Sequence, residues 1–165
     1  MTAAVGRLQR YHAVHANIRA CIAEETDWSA ALASIACELH GAFDYFAWTG
    51  FYRVVKPGLL VVGPYQGTHG CTRIPFGRGI CGAAARSRLT QRVDRVADRP
   101  EHIACSSSTQ SEIVVPVLSP EGAVLAVLDV DSNLDSAFTE VDQEELEHVC
   151  RELGLRFPNG EAHRG

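Results

Sequence analysis

The sequence contains 165 residues, of which 46% are hydrophobic and 21% are charged, and its formal net charge is -5. This length and composition are typical of one globular domain with its own core and exclude a disordered chain. The negative charge argues against a surface for nucleic acid or membranes, and no apolar run is long enough for a membrane span or a signal peptide. We therefore expect residues 1–165 to form a single domain in the cytoplasm.

Two helices are predicted at the start of the chain. Apolar residues at helical spacing predict the first helix over roughly residues 6–24, and Asp27 is expected to cap the second. The apolar stripes consist of Tyr11, Val14, Ile18 and Ile22 in the first helix and Trp28, Leu32, Ile35 and Leu39 in the second.

A first antiparallel hairpin is predicted after the helices. Residues 43–55 (FDYFAWTGFYRVV) and 59–67 (LLVVGPYQG) are rich in aromatic and β-branched residues, and Pro57 and Gly58 supply the turn between them. The following residues, 66–111, are irregular and rich in glycine, serine and histidine. Excursions of this length are usually binding loops or lids, so we expect this irregular segment to carry function.

A second hairpin and a last helix complete the predicted fold. Residues 112–118 and 123–131 have strand composition and are joined by a Ser-Pro-Glu-Gly turn. Thr139 followed by Asp142 resembles a capping box and predicts the start of the last helix. The order of elements predicts an α+β fold, in which helices pack on one face of a central antiparallel sheet and the irregular segment covers the other face.

The six cysteines fall into two groups. In a reducing cytoplasm, core packing, metal binding or redox chemistry explains them better than a structural disulfide framework. Cysteines within helical patterns are expected to be small buried side chains, whereas cysteines in polar loops are expected to be reactive. The first group is Cys21, Cys37 and Cys150, and the second is Cys71, Cys81 and Cys105.

Two motifs of the irregular segment allow alternative interpretations. GRGICG, residues 77–82, matches the dinucleotide fingerprint G-x-G-x-x-G, but no βαβ pattern surrounds it. The plainer interpretation is a tight turn that opens a short helix over residues 79–88. A zinc site is the second alternative, although no C-x-x-C pair is present and the spacing matches no standard structural site. Its candidate ligands are His69, Cys71, Cys81, His102 and Cys105.

Strand periodicity places distinctive side chains on shared faces. Because alternate residues of a strand point the same way, Trp48 shares a face with Tyr52. Asp129 and Asp131 share a face for the same reason. These two carboxyls either emerge into solvent at the strand end, with Asp131 capping a turn, or line a pocket for a ligand with an apolar part and a positively charged amine. Glu112 begins the neighbouring strand, where a raised pKa would make it a proton donor.

Several segments together resemble the free methionine-R-sulfoxide reductases, a family built on a GAF domain. The matching segments are WTGFY (48–52), LLVVGPYQG (59–67), GRGICG (77–82), HIAC (102–105), SEIVVPV (111–117), VLDVDS (127–132) and AFTEVDQEELE (137–147). The resemblance covers roughly residues 25–155 and implies a single GAF domain with a sheet of about six antiparallel strands, usually as a homodimer. A general GAF sensor is not expected to carry HIAC, SEIV and LDVDS together with Cys71.

The resemblance also implies a reaction and a role for each site residue. The reaction is the reduction of free methionine-R-sulfoxide, with thioredoxin restoring the enzyme and no bound cofactor. The implied thiols are Cys105 as the attacking group, Cys71 as the resolving group and Cys81 as an auxiliary. The implied substrate contacts are Glu112 to the sulfoxide oxygen, Asp129 and Asp131 to the amine, and Trp48 and Tyr52 to the methyl end.

Two positions depart from the family pattern. Ser106 follows HIAC where the family often has an acidic residue, and QRVDRVADRPEH (91–102) lacks the proline expected after its first valine. Both departures touch the loop around Cys105 and leave the implied site residues in place. The alternative to an enzyme is a sensory GAF module that binds a small ligand. Sensors usually attach such a domain to an effector, whereas here the domain accounts for nearly the whole sequence.

Overall fold

The computed structural model describes residues 3–103 and 105–160, which form four α-helices, one 3-10 helix and six strands. The helices are α1 (Ala3–Ile22), α2 (Trp28–Ala42), α3 (Gly79–Ser87) and α4 (Glu140–Arg156), with one 3-10 helix at Val96–Asp98. The strands are β1 (Trp48–Lys56), β2 (Leu59–Gln66), β3 (Arg73–Pro75), β4 (Gln91–Val93), β5 (Ser111–Leu118) and β6 (Val124–Ser132). The helices and both hairpins lie close to their predicted places, whereas β3 and β4 were not predicted from the sequence pattern.

The six described strands form one antiparallel sheet in the order β3-β2-β1-β6-β5-β4. The two hairpins are adjacent because β1 pairs with β6, with Phe51 opposite Leu128. These two side chains lie on the face that packs against α1, α2 and α4. Helix α3 and the irregular segment cover the opposite face, where Ile80 and Val114 are buried. The predicted α+β arrangement is confirmed.

Strand β1 begins at Trp48 and not at residue 43 as predicted. Phe43 ends α2 with extended backbone, and its carbonyl accepts a hydrogen bond from the amide of Phe46 at 3.1 Å. Both rings are buried in the helix-side core, with centroids 4.8 Å apart. The aromatic residues before Trp48 thus form a core-filling turn, which composition alone does not distinguish from a strand.

The three cysteines of the helical patterns differ in burial. Cys150 is buried as predicted, but Cys21 and Cys37 are exposed, so the prediction was wrong for these two. A helix on a protein surface buries only one stripe of side chains, and in α1 and α2 the larger apolar residues occupy it. Among residues 3–103 and 105–160, no helix has the length and apolar character required to cross a membrane.

The predicted capping box of α4 is confirmed and belongs to a larger buried network. Asp142 has no exposed surface; its Oδ2 accepts from the Thr139 amide at 2.7 Å and forms an ion pair with Arg7. Its Oδ1 accepts from the hydroxyls of Tyr11 (2.9 Å) and Tyr45 (2.5 Å). Both carboxylate oxygens therefore have donors, and the network joins α1 and the turn before β1 to α4.

Candidate active site

The register of the sheet brings three carboxyls and an indole together. Trp48 of β1 lies opposite Asp131 of β6, which in turn lies opposite Glu112 of β5. Gly50 and Asp129 form the next row on the same face, since they are two residues further along their strands. All three acids thus lie on the face that the irregular segment covers. Asp131 faces this space, so the alternative in which it emerges at the strand end and caps a turn is not realised.

An aromatic wall forms one side of this space. The ring of Trp48 stacks on Tyr52, with centroids 5.8 Å apart, and on Tyr65, with centroids 5.1 Å apart. The indole Nε1 donates to the carbonyl of Thr68 at 2.9 Å, which fixes the ring orientation. A Cβ at position 50 would lie 2.3 Å from Cβ of Tyr65 and 2.6 Å from the indole, so this stack requires Gly50. Tyr65 was not predicted as a site residue, because its position opposite Gly50 depends on the exact strand register.

The acidic floor is buried and incompletely hydrogen bonded. Glu112 and Asp129 are 5% and 6% exposed, and among the described residues Oε2 of Glu112 and Oδ1 of Asp129 have no hydrogen-bond partner. Burial raises the pKa of Glu112 well above its ordinary value, and the charge of Asp131 raises it further. The pKa of Asp129 is raised by burial and then by Glu112, and that of Asp131 by burial and then by Asp129. This environment favours protonated carboxyls or a bound cation.

His102 approaches the floor from the irregular segment. Its Nδ1 lies 3.3 Å from Oε2 of Glu112, without the geometry of a hydrogen bond. Burial lowers the pKa of His102, which favours the neutral ring and gives Glu112 little charge compensation. From the sequence, His102 was predicted only as a possible zinc ligand. Its position three residues before Cys105 is the signal that places it beside the same site.

Cys71 and Cys105 are joined by a disulfide at this site, with their Cα atoms 5.6 Å apart. Cys105 is exposed at the pocket and Cys71 is half-buried. The zinc set predicted as an alternative is therefore not formed, because two of its five members bind each other. The disulfide links the loop after β2 to the loop before β5, so the chemistry of these thiols takes place at the edge of the acidic pocket.

Cys81 lies inside the pocket as a buried free thiol. Burial raises its pKa well above the ordinary value, and the charge of Asp129 raises it further. The GRGICG motif positions it: Gly79 opens α3 with φ +70, and a Cβ there would lie 3.0 Å from Ile103. The turn-and-helix interpretation of this motif is confirmed.

The resulting pocket has a volume of about 100 Å³ and is closed on one side by loops of the irregular segment. All of the predicted site residues except Cys71 line it, and Cys71 is bonded to one that does. The described lining includes Trp48, Tyr52, Cys81, Cys105, Glu112, Asp129 and Asp131, with His69, His102, Thr109 and Asn133 among the residues not predicted to contact a substrate. An aromatic wall, an acidic floor and a disulfide at the pocket edge suit a small molecule that bears an amine and reacts with cysteine thiols.

Comparisons with known proteins show the family to which the chain belongs. The family model described as GAF domain matches residues 23–156. Free methionine-R-sulfoxide reductase of Escherichia coli is 34% identical over 149 residues, which cover 90% of this chain and 89% of the relative. The structure of free methionine-R-sulfoxide reductase from Neisseria meningitidis with its substrate has 46% identity and a TM-score of 0.85, covering 90% of this chain and 88% of that chain. The substrate complex of fRMsr of Staphylococcus aureus has 32% identity and a TM-score of 0.82, covering 88% and 94%.

Proposed function

Because the chain belongs to the GAF-domain family of free methionine-R-sulfoxide reductases, we propose that it reduces the R sulfoxide of free methionine to methionine. The single observation that carries the proposal is the Cys71–Cys105 disulfide at the edge of a pocket with a buried acidic floor. A sensory module has no need of a redox-active thiol pair beside its ligand. The chain is thus an oxidoreductase and not only a ligand-binding domain.

The acidic floor recognises the substrate amine. Asp129 and Asp131 lose their protons to receive the ammonium group, which supplies the positive charge that their surroundings lack. Trp48 and Tyr52 contact the methyl end of the sulfoxide, because their stacked rings form the apolar wall. A methionine sulfoxide residue within a peptide has an amide in place of the ammonium and therefore lacks the positive charge. The pocket is also small: its volume of about 100 Å³ is far below the roughly 300–1,000 Å³ of pockets that bind drug-sized ligands. Free methionine sulfoxide is therefore the preferred substrate.

Reduction begins with the attack of Cys105 on the sulfoxide sulfur. Glu112, whose raised pKa keeps it protonated, donates its proton to the sulfoxide oxygen, and the resulting hydroxyl group is transferred to the Cys105 sulfur as its bond to the substrate sulfur breaks. Methionine leaves with two electrons gained, and Cys105 becomes a sulfenic acid. The Cys71 thiol then displaces the hydroxyl group as water and forms the disulfide. Cys81 has an auxiliary part, since its thiol lies within 4.8 Å of carboxylate oxygens of Glu112 and Asp129 and tunes the floor.

A protein dithiol completes the cycle by thiol–disulfide exchange, and thioredoxin is the proposed reductant. The exposure of Cys105 supports this step, because the incoming thiolate needs direct access to one sulfur of the disulfide. Two further proposals are that the chain acts in the cytoplasm, where thioredoxin-type reductants operate, and that it forms a homodimer as the family resemblance implies.

A thioredoxin-coupled assay of NADPH consumption tests the proposal. Turnover is expected with the R epimer of free methionine sulfoxide, and none with the S epimer or with a sulfoxide-containing peptide. Equal turnover of all three substrates, or binding of the R epimer without turnover, would reject the proposed reaction. The second outcome would favour the sensory module.

Two cysteine variants test the assignment of the thiols. Cys105→Ser should abolish reduction, because the attacking group is removed. Cys71→Ser should allow one turnover per protein molecule in a rapid-quench experiment but no recycling by thioredoxin. Full activity of Cys105→Ser would show that the nucleophile has been misassigned.

A further inference from the structure

The free thiol of Cys81 and two carboxyls of the floor form a compact set of possible metal ligands. Sγ of Cys81 and one carboxylate oxygen each of Glu112 and Asp129 all lie within 4.8 Å of one another, and all three residues are buried. Zinc binds cysteine sulfur at about 2.3 Å and carboxylate oxygen at about 2.0–2.2 Å, so two ligands of one tetrahedral ion lie roughly 3–4 Å apart. Small side-chain rotations bring the three atoms to that spacing.

Unpartnered oxygens give an independent indication that this set accepts a cation. Oε2 of Glu112 and Oδ1 of Asp129 are buried without a hydrogen-bond partner among the described residues. A buried polar atom without a partner is destabilising, and a bound ion supplies the missing interaction at both atoms. The unpartnered oxygens belong to the same two residues that meet Cys81 in the set.

We propose that the pocket binds a thiophilic divalent cation such as Zn²⁺ through Cys81, Glu112 and Asp129, and that this cation excludes the substrate. One sulfur and two oxygen ligands suit zinc and disfavour magnesium and calcium, which take oxygen ligands only. Binding replaces the thiol proton and any proton on the two carboxyls, and these protons pass to solvent. No electron is transferred. Three protein ligands leave the fourth position to water.

Cation binding and catalysis compete for the same groups. The exclusion of substrate rests on the proposed function, in which Asp129 receives the ammonium and Glu112 protonates the sulfoxide oxygen. The cation site itself is independent of that function, because Cys81 takes no part in the Cys71–Cys105 disulfide. Zinc is therefore expected to bind the oxidised protein as well as the reduced protein and to inhibit turnover competitively with the sulfoxide.

Cobalt titration of the oxidised protein tests the site without using activity. Cys21 and Cys37 are exposed thiols, so both are first replaced by serine. Co²⁺ should then give a thiolate-to-metal charge-transfer band, and Zn²⁺, measured against a chromogenic chelator, should abolish it. Cys81→Ser should remove the band and weaken zinc binding by at least ~10-fold, since loss of even a group supporting a ligand costs about 10- to 100-fold.

Cys150→Ser is the matched control, because Cys150 is an equally buried thiol in the opposite, helix-side core. It should keep the band and the affinity, and Glu112→Gln should lose affinity as Cys81→Ser does. Retention of the band in Cys81→Ser, or its equal loss in Cys150→Ser, would overturn the proposal.

Free methionine sulfoxide should raise the apparent dissociation constant of zinc, and an unchanged constant would reject the competition. Zinc binding in a protein that does not reduce the sulfoxide would support the site and reject the proposed function.

Discussion

Asp142 of α4 and Glu112 of β5 are both buried carboxyls, but their surroundings differ. Asp142 pairs with Arg7 and accepts from Thr139 and two tyrosine hydroxyls. Glu112 lies among other acids, and its Oε2 has no hydrogen-bond partner among the described residues. A buried charge with donors at every oxygen stabilises a fold, whereas a buried acid without them is destabilising. The difference indicates that Asp142 is structural and supports the proposal that Glu112 meets the substrate.

The largest expected effect is the loss of stability when the structural acid is changed. Asp142→Asn removes the partner of Arg7 and two acceptor interactions, and should lower the free energy of unfolding by roughly 3 kcal/mol, the low end for breaking a buried pair, because Arg7 is partly exposed. Urea denaturation measures this change. The folded fraction should keep the parent kcat/KM. Asp27→Asn is the matched control, since Asp27 is an exposed N-cap and asparagine caps as well as aspartate.

The second expected effect is on catalysis: in contrast to Asp142→Asn, Glu112→Gln should lower activity without lowering stability. Glu112→Gln keeps the shape of the side chain but removes the acid, so kcat/KM should fall by roughly 10²-fold or more, as expected for the loss of a positioned general acid. Its free energy of unfolding should be equal to that of the parent or higher, because an unfavourable buried acid is removed. A variant with lower stability and unchanged kcat/KM would place Glu112 in the same class as Asp142.

The structural acid was easier to predict from the sequence than its partners. Thr139 and Asp142 are three residues apart, and this local spacing predicted the capping box. Tyr11, Tyr45 and Arg7 lie about a hundred residues or more away along the chain, and only the packing of α1 and of the turn before β1 against α4 brings them to the carboxylate. No local pattern contains that information.

Around the pocket, features set by local sequence patterns were predicted, whereas features set by long-range packing were not. Strand periodicity and the family resemblance predicted the shared faces of Asp129 with Asp131 and of Trp48 with Tyr52. The three-residue strands β3 and β4 were missed because they are too short to show a period and are set by pairing with β2 and β5. His102 was missed as a neighbour of Glu112 because its place depends on the path of a loop.

The third prediction separates binding from proton donation within the pocket. Asp129→Asn and Asp131→Asn each remove a charge that is proposed to face the substrate ammonium, and affinity should weaken about ten- to a hundredfold for each, from a charge-assisted hydrogen bond of about 1.5–3 kcal/mol. Calorimetry with a non-turning-over Cys105→Ser background measures the dissociation constants.

Acetylation of the substrate amine supplies the control for this contact. N-acetylation should weaken binding to the parent and matter far less in the double aspartate variant, which forms a cycle between protein and ligand changes. An equal cost of acetylation in both proteins would show that the aspartates do not hold the amine.

The smallest expected effect is on the pH dependence of stability. Burial raises the pKa of Glu112, so between the ordinary glutamate value of about 4.3 and the raised folded value, the folded state holds a proton that the unfolded chain has lost. The contribution of this group to the free energy of unfolding therefore decreases as pH rises through that window. Glu112→Gln removes the contribution, so the stability of the parent relative to the variant should fall with pH by at most about 1.4 kcal/mol per pH unit. Urea denaturation from mildly acid to neutral pH measures the difference. Parallel curves would mean that Glu112 has a partner for its charge in the folded protein, and the contrast with Asp142 would then disappear.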